Sequence, residues 1–132
     1  MKALLDTHVW LWSLCAPERL CETARAAISD PANEVYLSAA SAWEMAIKFA
    51  LGKLPLPEPP GEYVPARMKT QGISPLLVSH AHALRVASLP PHHSDPFDRL
   101  LIAQAQAEGL MLLTADPQFK PYAVRLLWAA AP

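Results

Sequence analysis

Five short apolar runs alternate along this chain with stretches of helical period, and that alternation limits its fold more than any other feature. The runs are Lys2–Leu5, Glu34–Ser38, Ile73–Val78, Leu110–Leu113 and Val124–Trp128. Strands that alternate with helices pair in parallel, because each helix carries the chain back across the sheet. The expected fold is α/β, a three-layer α/β/α sandwich with a mostly parallel sheet of about five strands. Residues 1–132 form one domain of a size that supports a real core. In such sheets the carboxyl ends of the strands and the starts of the following helices share one edge, where ligands bind.

Two runs end alike. Lys2–Leu5 leads into Asp6 and Thr7, and Leu110–Leu113 leads into Thr114, Ala115 and Asp116. Asp6 can also cap the next helix, with Val9, Leu11, Trp12 and Cys15 on its apolar side, and Asp116-Pro117 can also open a turn.

The stretch His92–Gly109, HHSDPFDRLLIAQAQAEG, reads as a helix with two carboxylates at its mouth. Asp95 is the N-cap, Pro96 the first helical residue and Asp98 the N3 residue. Leu101, Ile102 and Ala105 form a buried face that Asp98 leads. Capping and the helix dipole would favour each acid by about 0.3–1 kcal/mol. Those effects do not explain a carboxylate on the edge of an apolar stripe.

The segment Ala39–Leu51 is expected to be helical. Ala40, Trp43, Ile47 and Leu51 recur as a buried stripe, and Glu44 lies on it. A buried carboxylate must be paired, hydrogen-bonded, protonated or bound to a metal, and Lys48 offers a pair one turn on. Of the remaining segments, Glu18–Ser29, Gly61–Thr70 and the stretch from Ser79 through Leu89 read as helices, and Lys53–Pro60 as an extended intradomain connector. Pro75 weakens the strand Ile73–Val78, and the tail Ala129–Pro132 is expected to fray or serve association.

Apolar residues make up 52% of the chain and charged residues 17%, with a formal charge of −1. Bulk attraction to nucleic acid is thereby excluded, and the apolar richness points to a surface kept for a partner. Cys15 and Cys21 fit no zinc spacing and go with a reducing cytoplasm; a disulfide between them would need an oxidising compartment. No run approaches the ~18 apolar residues that a membrane crossing takes. Trp10, Trp12, Trp43 and Trp128 read as core or interface anchors, and His8, His80 and His82 as structural.

On this topology Asp6, Asp95, Asp98 and Asp116 map to one sheet edge, with Glu44 leaning toward it. Such acids repel one another unless a cation joins them, and an all-oxygen set selects Mg²⁺ or Mn²⁺. Divalent ions in a carboxylate cup suit phosphodiester hydrolysis. His92 and His93 invite a zinc or general-base reading, but a metal-activated water removes the need for a base. Lys48 and Lys53, and less directly Arg99, are candidates for RNA phosphate contacts, although each could be a solvated charge.

Four blocks carry a resemblance: LLDTHVWLW at Leu4–Trp12, SAASAWEMAIKFALGKLPLP at Ser38–Pro57, HHSDPFDRLLIAQA at His92–Ala105 and LLTADPQF at Leu112–Phe119. Together they resemble the PIN-domain ribonucleases, and within them the VapC-type toxins of toxin–antitoxin pairs. The resemblance implies that Asp6, Glu44, Asp98 and Asp116 are metal-binding acids, with Thr7 and Thr114 as supporting hydroxyls and Asp95 as an accessory acid. It implies Mg²⁺- or Mn²⁺-dependent endonucleolytic cleavage of RNA, a homodimer, and a VapB-type antitoxin that blocks the acidic site. Haloacid-type phosphatases need a second Asp where His8 stands, and phosphoryl-receiver domains need a lysine for which Arg125 is a poor substitute. A catalytically silent PIN-like module that binds protein or RNA would be expected to have lost one of the four acids, and none is lost.

Overall fold

The computed structural model describes the whole chain, Met1–Pro132. Strand β1 (Lys2–Leu5) is the centre of a five-stranded sheet ordered β3-β2-β1-β4-β5, with β2 at Glu34–Ser38, β3 at Ser74–Leu76, β4 at Met111–Thr114 and β5 at Leu126–Trp128. Every pairing is parallel. The helices are α1 (Thr7–Cys15), α2 (Glu22–Ser29), α3 (Ala39–Ala50), α4 (Pro60–Gln71), α5 (His80–Arg85) and α6 (Pro96–Glu108).

The alternation along β1 divides the core. Ala3 and Leu5 pack with Val9 and Trp10 of α1, Ala24 and Ile28 of α2, and Val64 and Met68 of α4. Leu4 faces the other way, onto Leu101, Ile102 and Ala105 of α6 and onto Phe119. Leu4 and Leu5 are fully buried, and each such side chain contributes about 1.5–3 kcal/mol. A sheet apolar on both faces needs helices on both, which makes this a three-layer sandwich.

The chain leaves β1 toward β2 on one side, while β4 joins β1 on the other. That reversal opens a crevice at the carboxyl ends of β1 and β4. Leu5 pairs with Leu113 there, and the backbone N–H of Asp6 donates to the Leu113 carbonyl at 2.9 Å. The residues that follow the two strands therefore meet across the crevice.

Several segments differ from the sequence expectation. Glu18–Ser29 is not one helix. A 3-10 turn at Pro17–Arg19 gives way to buried Leu20, and α2 starts after Cys21, whose sulfur caps it. Leu20 forms an antiparallel bridge with Ala130, and the Cys21 N–H donates to the Ala129 carbonyl at 2.8 Å. The tail is thus sewn into the fold, with Ala129 buried, rather than frayed.

The stripe on α3 is also different. Trp43 is 61% exposed and Leu51 63%, and Ile47 is exposed as well, whereas Ala40, Ser41, Glu44 and Met45 are buried. Ala40 joins the α6 side of the core and Met45 the α1 side, so α3 sits across the end of the sheet between the layers. Its inner face meets the crevice and takes small and polar residues, which leaves Trp43 outside against Phe97 at 5.2 Å.

Strand β3 keeps only three residues around Pro75, and α5 stops at Arg85 before a 3-10 turn at Val86–Ser88. No helix is long and apolar enough to cross a membrane.

Candidate metal centre

Each acid reaches the crevice from a different element. Asp6, at the end of β1, is buried, and its Oδ1 accepts the His8 N–H at 3.3 Å as the α1 cap. The Thr114 hydroxyl donates to Asp6 Oδ2 at 2.8 Å, and Thr114 Oγ1 accepts the Asp116 N–H at 3.0 Å. Thr114 therefore ties the ends of β1 and β4 together.

Glu44 is buried one turn into α3, with its Oε1 3.0 Å from the hydroxyl of Thr7. That hydroxyl also lies 2.8 Å from Ser41 Oγ, so Ser41 joins the support. Its place one turn before Glu44 was the available signal. Lys48 pairs with Glu44 Oε2, as the spacing of four predicts.

Asp95 Oδ1 accepts the N–H groups of Phe97 (2.8 Å) and Asp98 (3.2 Å), the N-cap expected for α6. Asp98 projects from the first turn. Burial, followed by the charges of Asp6, Asp95, Glu44 and Asp116, pushes its carboxyl up to about 8. All five acids therefore share one electrostatic neighbourhood. Burial also raises Asp6 above the usual carboxylate range, against the lowering pull of the Thr114 hydrogen bond. The bond to Glu44 raises Lys48 and keeps its ammonium charged, with Asp95 and Asp98 adding to the effect. Asp116 Oδ1 accepts the Gln118 N–H at 2.9 Å, which leaves Oδ2 toward the crevice.

The remaining candidates divide. Lys48 is turned inward, onto Glu44, rather than out toward solvent. Lys53 is exposed and lines, with His8, Lys48 and Glu44, a recess of about 230 Å³. A second recess, of about 220 Å³, is bounded by Asp6, His8, Trp12 and Asp116.

Arg99 does not face either recess. Its guanidinium donates to the carbonyls of Pro90 (2.9 Å), Val86 (3.1 Å) and Leu89 (3.3 Å) and to Tyr122 Oη (3.2 Å). A group with this many local acceptors is a clamp on the loop before α6. His8, expected to be structural, has an exposed side chain at the rim, with Nδ1 4.0 Å from Asp6 Oδ1. His80 is exposed too. His82 is structural, buried between Ser79 and Glu108. Of the tryptophans, Trp10 is a core residue, Trp12 half-buried and Trp128 partly exposed beneath Lys120.

His93 enters the crevice itself. It is buried, with Nε2 3.0 Å from Asp98 Oδ2 and 3.1 Å from Asp116 Oδ2. These three ligand-type atoms lie within 4.8 Å of one another. The pair His92-His93, just before the acids, is the signal that the sequence offers for it.

The donors fit a hard divalent cation. They are carboxylate oxygens supported by hydroxyls, and their mutual repulsion shows in the raised Asp98. Neither cysteine is among them, and both are free.

Comparison with known proteins follows the same lines. The PIN domain family model matches residues 3–124. Ribonuclease VapC16 of Mycobacterium tuberculosis is 58% identical over 71 residues, covering 53% of this chain and half the length of that protein. Ribonuclease VapC22 of the same organism is 34% identical over 126 residues, 90% of each chain. Among solved structures, a chain of VapBC2 from Rickettsia felis, bound to a DNA fragment from its promoter, superposes with a TM-score of 0.73. It is 15% identical and covers 98% of this chain and 99% of that one, a likeness of fold.

Proposed function

The chain belongs to the PIN-domain family, and from that premise we propose that it is a metal-dependent endoribonuclease, the toxin of a toxin–antitoxin pair, with residues 1–132 acting as one PIN domain. The observation that carries this reading is the meeting of Asp6, Glu44, Asp98 and Asp116, from four elements, at the reversal of the strand order. Packing alone gives no reason to bring four carboxylates to one point, since each costs desolvation.

In this reading Asp6, Glu44 and Asp98 hold one Mg²⁺ or Mn²⁺ ion, and Asp116 serves that ion or a second. A bound ion supplies an activated water and charge neutralisation at the phosphate and the leaving 3′ oxygen. Thr114 and Thr7 keep the oxygens of Asp6 and Glu44 aimed, and Asp95 fixes the first turn of α6. Lys53 and the rim of the recess beside Glu44 receive backbone phosphates, and the ammonium of Lys48 can exchange Glu44 for a phosphate oxygen once a cation is in place. The recess by Trp12 is left for a base or ribose on the other side of the scissile bond.

The test is cleavage of RNA by partner-free protein in Mg²⁺, Mn²⁺ or EDTA, beside Asp6→Asn. Cleavage is expected with either ion and lost both in EDTA and in the variant. Cleavage that survives in EDTA, or an inert wild type with every RNA and ion, would leave the fold without this activity.

The same reading includes a cytoplasmic location, in keeping with an RNA substrate and two free cysteines, and two protein partners: a second copy of the chain and a VapB-type antitoxin that reaches the acidic crevice. Trp43, Leu51, Leu77 and Leu84 are each more than half exposed, which supports an apolar face for self-association. Trp43→Glu is expected to convert a dimer to a monomer by light scattering, with secondary structure unchanged. An unaltered mass would move the self-association face elsewhere.

A further inference from the structure

His93 takes no part in the reaction as proposed, yet it is the most tightly constrained ring at the crevice. Its Nδ1 accepts the Asp95 N–H at 3.2 Å, so the ring proton sits on Nε2. That N–H donates to Asp116 Oδ2 at 3.1 Å, and Asp98 Oδ2 lies 3.0 Å from the same nitrogen as an ion-pair contact. Phe119 stands edge-on to the ring, at 5.6 Å and 87°, and the backbone N–H of His93 donates to Tyr122 Oη at 2.8 Å. Ring, tautomer and loop are all held.

We propose that His93 is a positioning residue of the metal centre: its Nε2–H spans the carboxylates of Asp98 and Asp116 and sets the orientation in which their other oxygens face the cation. The proposal rests on the metal-centre reading above. Two carboxylate oxygens brought this near repel, and a shared donor offsets the repulsion while leaving the outer lone pairs free. Asp116 has a second anchor in the Gln118 N–H, whereas His93 is the side chain that meets the Asp98 carboxylate. The imidazole is not itself a ligand, because its one lone pair is already engaged at Nδ1. The usual arrangement, in which a metal-bound histidine is oriented by a carboxylate, is here inverted, with the histidine orienting the acids.

The test is calorimetric titration of Mn²⁺ into the wild type, His93→Phe, His93→Gln and Asp98→Asn, together with kcat across Mn²⁺ concentrations. Removing a partner of this kind costs roughly 10–100-fold in metal affinity. His93→Phe keeps the ring and its packing but is expected to bind Mn²⁺ that much more weakly, with kcat at saturating ion falling less than the affinity does. His93→Gln restores an N–H donor and is expected to regain most of the affinity. If phenylalanine prevents folding, His93→Asn, whose shorter amide falls short of the two acids, carries the same expectation.

A His93→Phe protein that binds Mn²⁺ like the wild type overturns the proposal and leaves His93 as packing. Equal losses in Phe and Gln variants, both as deep as in Asp98→Asn, overturn it by making the ring nitrogen a ligand. Undiminished binding by Asp98→Asn would instead overturn the metal-centre reading itself.

Discussion

Asp98→Asn is expected to cleave RNA about a thousandfold more slowly than the wild type, a loss of roughly 4 kcal/mol in transition-state stabilisation, and to melt at a higher temperature in EDTA at pH 8. The two effects share a cause. Asp98 is pushed from 3.8 up to about 8 by burial and by the acids around it. In the unfolded chain it ionises near its ordinary value, so between about pH 4 and pH 8 the folded form holds a proton that the unfolded form has released. Stability from this group is complete below pH 4, declines as pH rises across that window, and levels off above about 8.

Asparagine has no proton to lose, so its variant is expected to lack that decline. Saturating Mn²⁺ is expected to restore the wild type at pH 8 and to do little for the variant, because cation binding takes the place of the proton. Melting curves at pH 5 and pH 8, in EDTA and in Mn²⁺, give the comparison. Parallel curves for the two proteins would mean that Asp98 does not carry the repulsion assigned to it.

Arg99→Met is expected to lower stability by about 2–4 kcal/mol, read from urea unfolding. A hydrogen bond to a charged group contributes about 1.5–3 kcal/mol, and bonds that share one half-buried guanidinium do not add. Its acceptors are the carbonyls of Val86, Leu89 and Pro90 and the hydroxyl of Tyr122, which also supports the His93 backbone. Losing the fork frees the loop that delivers His93 and Asp95, so weaker Mn²⁺ binding is expected to accompany the loss. Arg99→Lys recovers little, since one ammonium cannot span those acceptors. An Arg99→Met protein of unchanged stability but weaker RNA binding would return Arg99 to the substrate.

The strand-helix alternation was legible because a parallel sheet buried on both faces writes itself as short apolar runs. The acids were legible because strand ends and helix starts share an edge in that fold. Asp6 and Asp116 could be placed from Lys2–Leu5 and Leu110–Leu113 with no knowledge of what lay between.

What escaped was set by tertiary context. The helical period on α3 picked out Trp43 and Ile47 because they are apolar, but the helix lies over the crevice, and its buried face carries Ser41 and Glu44 beside Ala40 and Met45. Arg99 looked like a free charge beside an acid, since its acceptors are backbone carbonyls that a sequence does not distinguish. The tail looked loose because alanines carry no signal, although the pairing of Ala130 with Leu20 is made by backbone alone. The place of His93 escaped for the same reason, since a sequence does not show which nitrogen of an imidazole is already engaged.

The bond from Thr114 to Asp6 joins residues 108 positions apart, and β1 lies between strands made early and late. Synthesis runs from one to the other. While a ribosome is still extending this chain, Asp6 and Glu44 have neither Asp98 nor Asp116 beside them, and the central strand has one open edge. The acid cluster closes only when β4 has emerged and slotted in against β1, a contact of high sequence separation and therefore slow to form. In the proposed reading, a chain assembled in that order has no complete acid site until β4 has paired with β1.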